Sequence, residues 1–470
     1  MKKRQGMSEG FIDELHNVLG KSVVLSGADI DARYHHDLAG NPVPKPRAVV
    51  RPRTTEDVSV LLRLCHREGV PVTTQGGMTG LVRGALPNAN EIVLSMERMN
   101  SVEEVDASAG VAIAQAGTPL QKLQGRVEQD GLMFPLDLGA RGSCTIGGNI
   151  STNAGGNRVI RYGMTRDLIL GLEVVTADGT VLKGLHKYIK NNTGIDLKQL
   201  FIGSEGILGV VTRAALRVFP APAERQVALC ALPSFGQVMA LLKLARKSLG
   251  GDLTAFEVMW NAYYRQTVER VKGVVRPLPT HHPFYVLLEA SGSDAERIRD
   301  GLEKMLETAM GDNLILDATL STSNASVAAI WRIRDSSVEL GRSFPFTARM
   351  GFDVSVAIDR MEEYADTLDA RVKAIDPQAF TIVMGHVGDG NLHPSVYHEH
   401  TPDKHDEFEK LVYDLTGEFG GSISAEHGIG ILRRPYLKMS RTEEEIETMR
   451  TLKRALDPKN ILNPGRIFTV

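Results

Sequence analysis

Cysteine is scarce in this chain: three residues, Cys65, Cys144 and Cys230, in 470 positions. They lie far apart, which excludes a disulfide framework, a paired-thiolate metal site and an iron–sulfur centre. An excess of one charge is also missing. The 54 Lys and Arg nearly balance 57 Asp and Glu, a net of −3, so nothing in the charge calls for a nucleic-acid partner. No apolar run reaches the roughly 18–20 residues that a spanning helix needs. The basic start MKKRQGMSEG is followed by no hydrophobic stretch, so no secretory leader is expected and a reducing, cytoplasmic setting is. The Rossmann G-x-G-x-x-G fingerprint is absent too, which disfavours nicotinamide chemistry.

Glycine is what the chain has in excess, 46 residues. At 51.3 kDa the chain is too long for one ordinary core, so two domains are expected. Residues 48–95 read as a β-α-β unit. The strand AVV precedes a helix opened near Thr55, Glu56 and Asp57, with Val58, Leu61, Leu62 and Cys65 at helical spacing. Gly69 closes that helix, and the strands VPVTT and EIVLS follow. Between 168 and 219 the runs LILGLEVVTADGTVL and GVVTRAALRVF are strand-like, with a hairpin turn at 177–179 inside the first. The segment FPAPAER, 219–225, is the expected domain boundary. Beyond it, strands at 226–232, 283–289, 313–319, 351–356 and 380–385 alternate with helices at 235–249 and 294–309. A final helix opens on a Thr442–Glu445 capping box and stops before Asp457-Pro458.

Three glycine-rich segments fall in the first half. The loop QGGMTGLVRGALP follows a strand, and Gly76, Gly77 and Gly80 would let successive N–H groups converge on an anion through positive φ. Alone it is equally a glycine turn between strands. SCTIGGNISTNAGGN, 143–157, adds close-approach backbone with Ser143, Thr145, Asn149 and Thr152. NNTGIDLKQLFIGSEGILGVV, 191–211, is the third. Together they suit a large, flat, pyrophosphate-bearing cofactor laid against backbone.

These segments, followed in order by GHVGDGNLH, SAEHGIG and ALDPKNILNPGRI, resemble the FAD-dependent D-2-hydroxy-acid dehydrogenases of the vanillyl-alcohol-oxidase fold. The resemblance runs from about residue 45 to 468. It implies an α+β protein with a two-part PCMH-type FAD domain over 1–221. A ferredoxin-like cap carrying substrate and metal would fill 222–470, with about 455–470 returning to the flavin. The implied FAD contacts are Gln75, Gly76, Gly77, Met78, Thr79, Gly80 and Leu81 in the first loop. The second segment supplies Leu138, Gly139, Ser143, Thr145, Gly147, Gly148, Asn149, Thr152, Asn153, Ala154 and Gly155. Gly206, Gly209, Val210, Val211 and Asn463 complete the set. Met78 stands where some relatives carry a flavin-linking histidine, which implies non-covalent FAD. Ile207 and Ile195 depart from the family's usual Thr and Tyr.

His386 and His393 sit seven positions apart around a glycine turn, a spacing that matches no helical face and suits a strand edge. By themselves two histidines near a glycine turn are more often surface or capping residues than metal ligands. The resemblance implies that they join Glu426 as a divalent-metal set, zinc first and manganese or iron next. It also makes His427 the general base, or else a residue orienting Glu426. Arg334, in WRIRDSSVEL, falls on the family's substrate-carboxylate arginine; Arg332 reads as a surface charge. Hydroxyglutarate-specific members hold the distal carboxylate with a threonine four positions after that arginine and with a lysine. Here those places carry Val338 and Gly351, with Arg349 two positions away. A D-lactate-like monocarboxylate is therefore expected ahead of D-2-hydroxyglutarate. Electrons would leave to an external acceptor: an electron-transfer flavoprotein, a quinone or a cytochrome. A homodimer is possible on this reading. The competing readings are a metal-dependent hydrolase on His386, His393 and Glu426, and a flavoprotein of the same fold with other chemistry.

Overall fold

A computed structural model describes residues 2–36, 42–345, 348–399 and 401–470. The chain divides into two compact units. One comprises residues 1–154, 164–220 and 426–470; the other comprises 155–163 and 221–425.

The first unit holds two larger sheets and a two-stranded one, Leu132–Met133 with Phe219–Pro220. In the four-stranded one, Ala48–Val50, Ile92–Ser95 and Val72–Gln75 run parallel, as a β-α-β unit requires. The connecting helix Thr55–Glu68 starts one residue earlier than its acidic turn suggests. Thr54 is the cap, accepting from Asp57 N–H in a reciprocal capping box, and Gly69 ends the helix at φ +64. The second sheet is five-stranded and antiparallel, in the order Val102–Asp106, Val111–Gln115, Val210–Arg217, Ile169–Val175, Val181–Gly184.

The end of the chain closes onto the first sheet. Val72 N–H donates to Ile461 O at 2.7 Å and Asn463 N–H to Val72 O at 2.8 Å. Arg466, 1% exposed, donates to Glu91 Oε1 at 2.8 Å. The carboxylate also takes Thr73 Oγ1, while Asn88 contributes a backbone N–H at 2.8 Å. Removing one partner of such a pair leaves a buried charge and costs about 3–5 kcal/mol. The expected return of 455–470 thus begins earlier, at Glu426. Sequence pattern misses this because 426–441 contains little regular structure and is held by side chains.

The second unit is built on one sheet. Strand β1 (Glu224–Leu232), helix α1 (Phe235–Leu249), strands β2 (Leu253–Trp260) and β3 (Phe284–Gly292), helix α2 (Ala295–Gly311) and strand β4 (Asp317–Leu320) follow in sequence. Their spatial order β4-β1-β3-β2, all antiparallel, is the ferredoxin-like arrangement. Helix α3 (Asn324–Asp335) comes next, then strands β5 (Ala348–Gly351), β6 (Phe380–His386) and β7 (Asn391–His398). They extend the sheet beyond β2 in the order β6-β7-β5.

Register decides what faces the site. Met259 pairs with Met384, Met384 with His393, Gly351 with Ser395 and Arg349 with Tyr397. Directly opposed residues share a face, and side chains alternate along each strand. Glu257, His386, His393, Ser395, Gly351 and Arg349 therefore all point to one side. Helix α3 covers that side, its Val327, Ile330 and Ile333 packing with Met259, Met384 and Tyr397.

Candidate functional site

In the first unit the glycine-rich segments meet one another. A Cβ on Gly77 would sit 1.9 Å from Ser143 O, one on Gly76 2.5 Å from Thr145 Oγ1, and one on Gly147 2.6 Å from the Ala116 Cβ. These glycines let two stretches of backbone close together. The positive φ angles expected at Gly76, Gly77 and Gly80 fall instead on Met78, +56, and Arg83, +57. That correction has a steric cause: at Gly76 and Gly77 it is the missing Cβ, not a left-handed backbone, that permits the close approach. Gly80 and Gly139 behave differently, with nothing within 4 Å of their would-be Cβ.

Other predicted contacts have local structural tasks. Thr145 caps the helix Ile146–Thr152, accepting from Gly148 N–H at 3.4 Å. Thr152 Oγ1 donates back to Gly148 O at 3.1 Å. Asn153 ends that helix at φ +50 and accepts from Arg166 N–H at 2.9 Å. Asn463, at φ +42, ties the chain's end to two loops: its Oδ1 accepts from Thr74 N–H at 2.9 Å, and its Nδ2 donates to Glu205 O at 2.6 Å. Gly206 leaves no room for more, since a Cβ there would lie 2.8 Å from Asn463 Nδ2.

Glu205 itself, left without a role in the sequence reading, is a buried carboxylate that receives Ile429 N–H at 2.7 Å and Gly430 N–H at 2.8 Å. Burial pushes its carboxyl above the usual range, although these donors and Arg433 oppose the shift. It thereby fixes the loop that follows His427. His427 meets Arg433 Nη2 at 3.3 Å through Nδ1. A guanidinium only donates, so Nδ1 accepts and the neutral ring carries its proton on Nε2.

In the second unit, His386 ends β6 and His393 is the third residue of β7, their rings 5.2 Å apart and nearly perpendicular. The two are diagonal partners across a hairpin, in the interior of the sheet rather than at its edge. Glu426 follows directly on Ala425, whose N–H reaches Asp353 O. Of the expected metal set, His386 and His393 thus belong to the second unit, while Glu426 is the first residue of the stretch that returns to the first.

The unforeseen residue is Glu257 on β2. It is 2% exposed, and each oxygen has its own partner: His386 Nδ1 at 2.6 Å and Arg334 Nε at 2.8 Å. Burial alone would raise its pKa, but the His386 and Arg334 charges outweigh it and hold the carboxyl down to about 2. Burial likewise works against the Arg334 charge, and Glu257 more than offsets it, so the arginine stays protonated. Tyr263 Oη fastens the end of α3 by donating to Arg334 O at 2.5 Å, and Arg334 Nη2 lies 2.8 Å from His386 Nε2. Arg332 instead pairs at the surface with Glu339, as expected.

Comparison with known proteins follows the same division. The profile "FAD binding domain" matches residues 46–184, and "FAD linked oxidases, C-terminal domain" matches 221–467.

The chain belongs to the FAD-linked oxidases.

It is an FAD-dependent oxidoreductase. Its relatives include the mitochondrial D-2-hydroxyglutarate dehydrogenase of Bos taurus, 42% identical, covering 90% of this chain and 77% of the relative. The D-2-hydroxyglutarate dehydrogenase of Stutzerimonas stutzeri is 36% identical over 97% of this chain and 98% of its own. Among solved structures, a p-cresol methylhydroxylase superposes with a TM-score of 0.79 at 15% identity, covering 99% of this chain and 98% of its own. That likeness places the oxidase in the PCMH-type fold.

The residues of the first unit fit FAD. Thr74 Oγ1 and Gln75 Oε1 are buried without a hydrogen-bond partner at the mouth of the glycine loop, where a polar ligand would satisfy them. Open Gly80 and Gly139 leave backbone accessible beside it. No helix among the described residues is long and apolar enough to cross a membrane.

Proposed function

We propose that this oxidase converts a D-2-hydroxy acid to the 2-oxo acid with the help of a divalent metal. The observation that carries the reading is Arg334 tied through Glu257 to His386, on the sheet face that also bears His393. Arg334 would bind the carboxylate common to all 2-hydroxy acids, since a guanidinium fork matches two carboxylate oxygens. Glu257 holds its Nε, which fixes the plane of the fork. His386, His393 and Glu426 would hold the metal, and two nitrogens with one oxygen suit zinc first, manganese or iron next. Such an ion supplies a Lewis acid that lowers the pKa of the substrate hydroxyl. FAD, held non-covalently, supplies the hydride acceptor.

His427 would take the hydroxyl proton. Its lone pair lies on Nδ1, the nitrogen facing Arg433, so proton uptake there requires the arginine to give way. Electrons would then pass to an external acceptor, an electron-transfer flavoprotein, a quinone or a cytochrome, in a cytoplasmic setting. A metal-dependent hydrolase on the same three residues would leave the FAD-binding half without a task.

A lactate-like monocarboxylate is the favoured substrate, with D-2-hydroxyglutarate next. Gly351 offers no side chain to the site face, and Val338 is apolar and 55% exposed. A charge-assisted hydrogen bond to a distal carboxylate is worth about 1.5–3 kcal/mol, or roughly tenfold to a hundredfold in specificity. Arg349 is a rival source of that bond. It shares the face, two residues along β5, and donates to Ser395 Oγ at 3.3 Å. Steady-state kinetics with an artificial acceptor test this: kcat/KM is expected to be higher for D-lactate than for D-2-hydroxyglutarate. A preference for D-2-hydroxyglutarate that disappears in Arg349→Ala would reverse the assignment.

A further inference from the structure

Glu257 belongs to no glycine-rich segment and is assigned contact with neither the substrate nor the metal itself. Its surroundings are nonetheless specific. The strand that carries it, LTAFEVMW, is buried over seven of its eight residues, Trp260 excepted. An ionised carboxylate in such a strand is costly unless both oxygens are satisfied by charged or strong donors. Here the two oxygens serve two different functional groups, one each.

We infer that Glu257 is a single positioning residue for both halves of the site, aiming the Arg334 fork with one oxygen and setting the His386 ring with the other. This rests on the reading of Arg334 and His386 given above. For His386 the consequence is a tautomer. Nδ1 faces a carboxylate that can only accept, so on the neutral ring the proton sits on Nδ1 and the lone pair on Nε2, where it accepts from Arg334 Nη2 at 2.8 Å and where a metal would take the arginine's place. A carboxylate behind a ligating histidine also makes that histidine a stronger donor. For Arg334 the consequence is orientation. With Nε anchored and the α3 carbonyl held by Tyr263, the guanidinium plane cannot swing, so its terminal nitrogens meet a carboxylate at little entropic cost. Because the two tasks share one carboxylate, a change there disturbs metal and substrate together, whereas a change at either client disturbs one.

The test uses the full-length, FAD-loaded protein and two titrations that need no turnover. Zn²⁺ is titrated into chelator-treated protein against a chromophoric chelator. Oxalate, which carries the carboxylate and adjacent oxygen of a 2-hydroxy acid, is titrated into the metal-free protein and read by flavin absorbance. Glu257→Gln is expected to weaken both by about tenfold or more. Arg334→Gln should weaken oxalate alone, and His386→Ala zinc alone. The inference is overturned if Glu257→Gln moves only one titration or neither while the two client variants behave as stated. Should zinc binding survive both His386→Ala and His393→Ala, the metal reading itself fails and takes the histidine half of the inference with it. Oxalate affinity unchanged in Arg334→Gln would remove the other half. If Glu257→Gln does not fold, the pair Glu257→Gln with Arg334→Gln removes the unbalanced buried charge. Its zinc affinity must then fall below that of Arg334→Gln alone, and equality would overturn the inference.

Discussion

The two units of this oxidase build their functional surfaces from different material. In the first, the candidate cofactor cradle is mostly backbone, with glycines that let loops touch. In the second, the candidate site is made of side chains, Glu257, His386 and His393 on one sheet face and Arg334 on the helix that covers it, with Glu257 joining helix to sheet. A backbone site tolerates changes in side chains but not in Cβ atoms; a side-chain site does the reverse. Mutations that exchange these sensitivities test the distinction.

The largest effect is expected at Arg334. Arg334→Ala should lower kcat/KM for every 2-hydroxy acid by about 10²–10³-fold, from a loss of roughly 3–4 kcal/mol of charge-paired binding. FAD content should not change. It should also lower Tm, because Glu257 loses a partner in a buried place. Equal turnover of 2-hydroxy acids before and after the change would remove Arg334 from the site.

Next come the glycines, which divide into two groups. Gly77→Ala forces a Cβ against the Ser143 carbonyl and should destabilise the apoprotein by about 1–3 kcal/mol or more, as overpacking does. Gly80→Ala and Gly139→Ala meet nothing within 4 Å and should leave apoprotein Tm unchanged. A fall in FAD affinity in either of these two, measured by flavin fluorescence, would locate cofactor against that backbone. No fall in either would leave the glycines as packing alone.

A smaller, pH-dependent effect belongs to the strap that closes the first unit. Burial raises the Glu91 carboxyl, but Arg466, Thr73 and Asn88 lower it further, so its folded pKa lies below the ordinary 4.5. A lowered carboxylate contributes stability that is fully present above the ordinary value and is lost as pH falls through the folded one. Denaturation midpoints should therefore drop below about pH 4.5, and Glu91→Gln should be less stable at pH 7 with a flatter acid profile. The smallest effect concerns thiols. Burial pushes Cys230 up to about 12 and Cys65 higher still, so native protein should react with thiol reagents far more slowly than unfolded protein.

The same contrast governs what the sequence reveals. Glycine spacing marks a backbone site directly, and the β-α-β unit and the boundary near residue 220 are visible in hydrophobic period and turn chemistry, whereas the ferredoxin-like cap follows only from the family resemblance. The reason for the glycines was less visible, because close approach of two loops is a tertiary fact. Strand β2 escaped altogether. Buried on both faces, LTAFEVMW shows no alternation to count. The signal it does carry is chemical: one carboxylate inside an apolar run demands a buried partner.

The central claim is that a flavin in this protein takes a hydride from one enantiomer of a 2-hydroxy acid. Purified, FAD-loaded protein should be yellow, and adding D-lactate without an acceptor should bleach the absorbance near 450 nm (about the usual position of oxidised flavin) within seconds to minutes, a timescale set by ordinary kcat values of about 1–10³ s⁻¹. L-lactate should leave it unchanged. Bleaching by the L enantiomer, or none with D-lactate and D-2-hydroxyglutarate alike, would contradict the assignment.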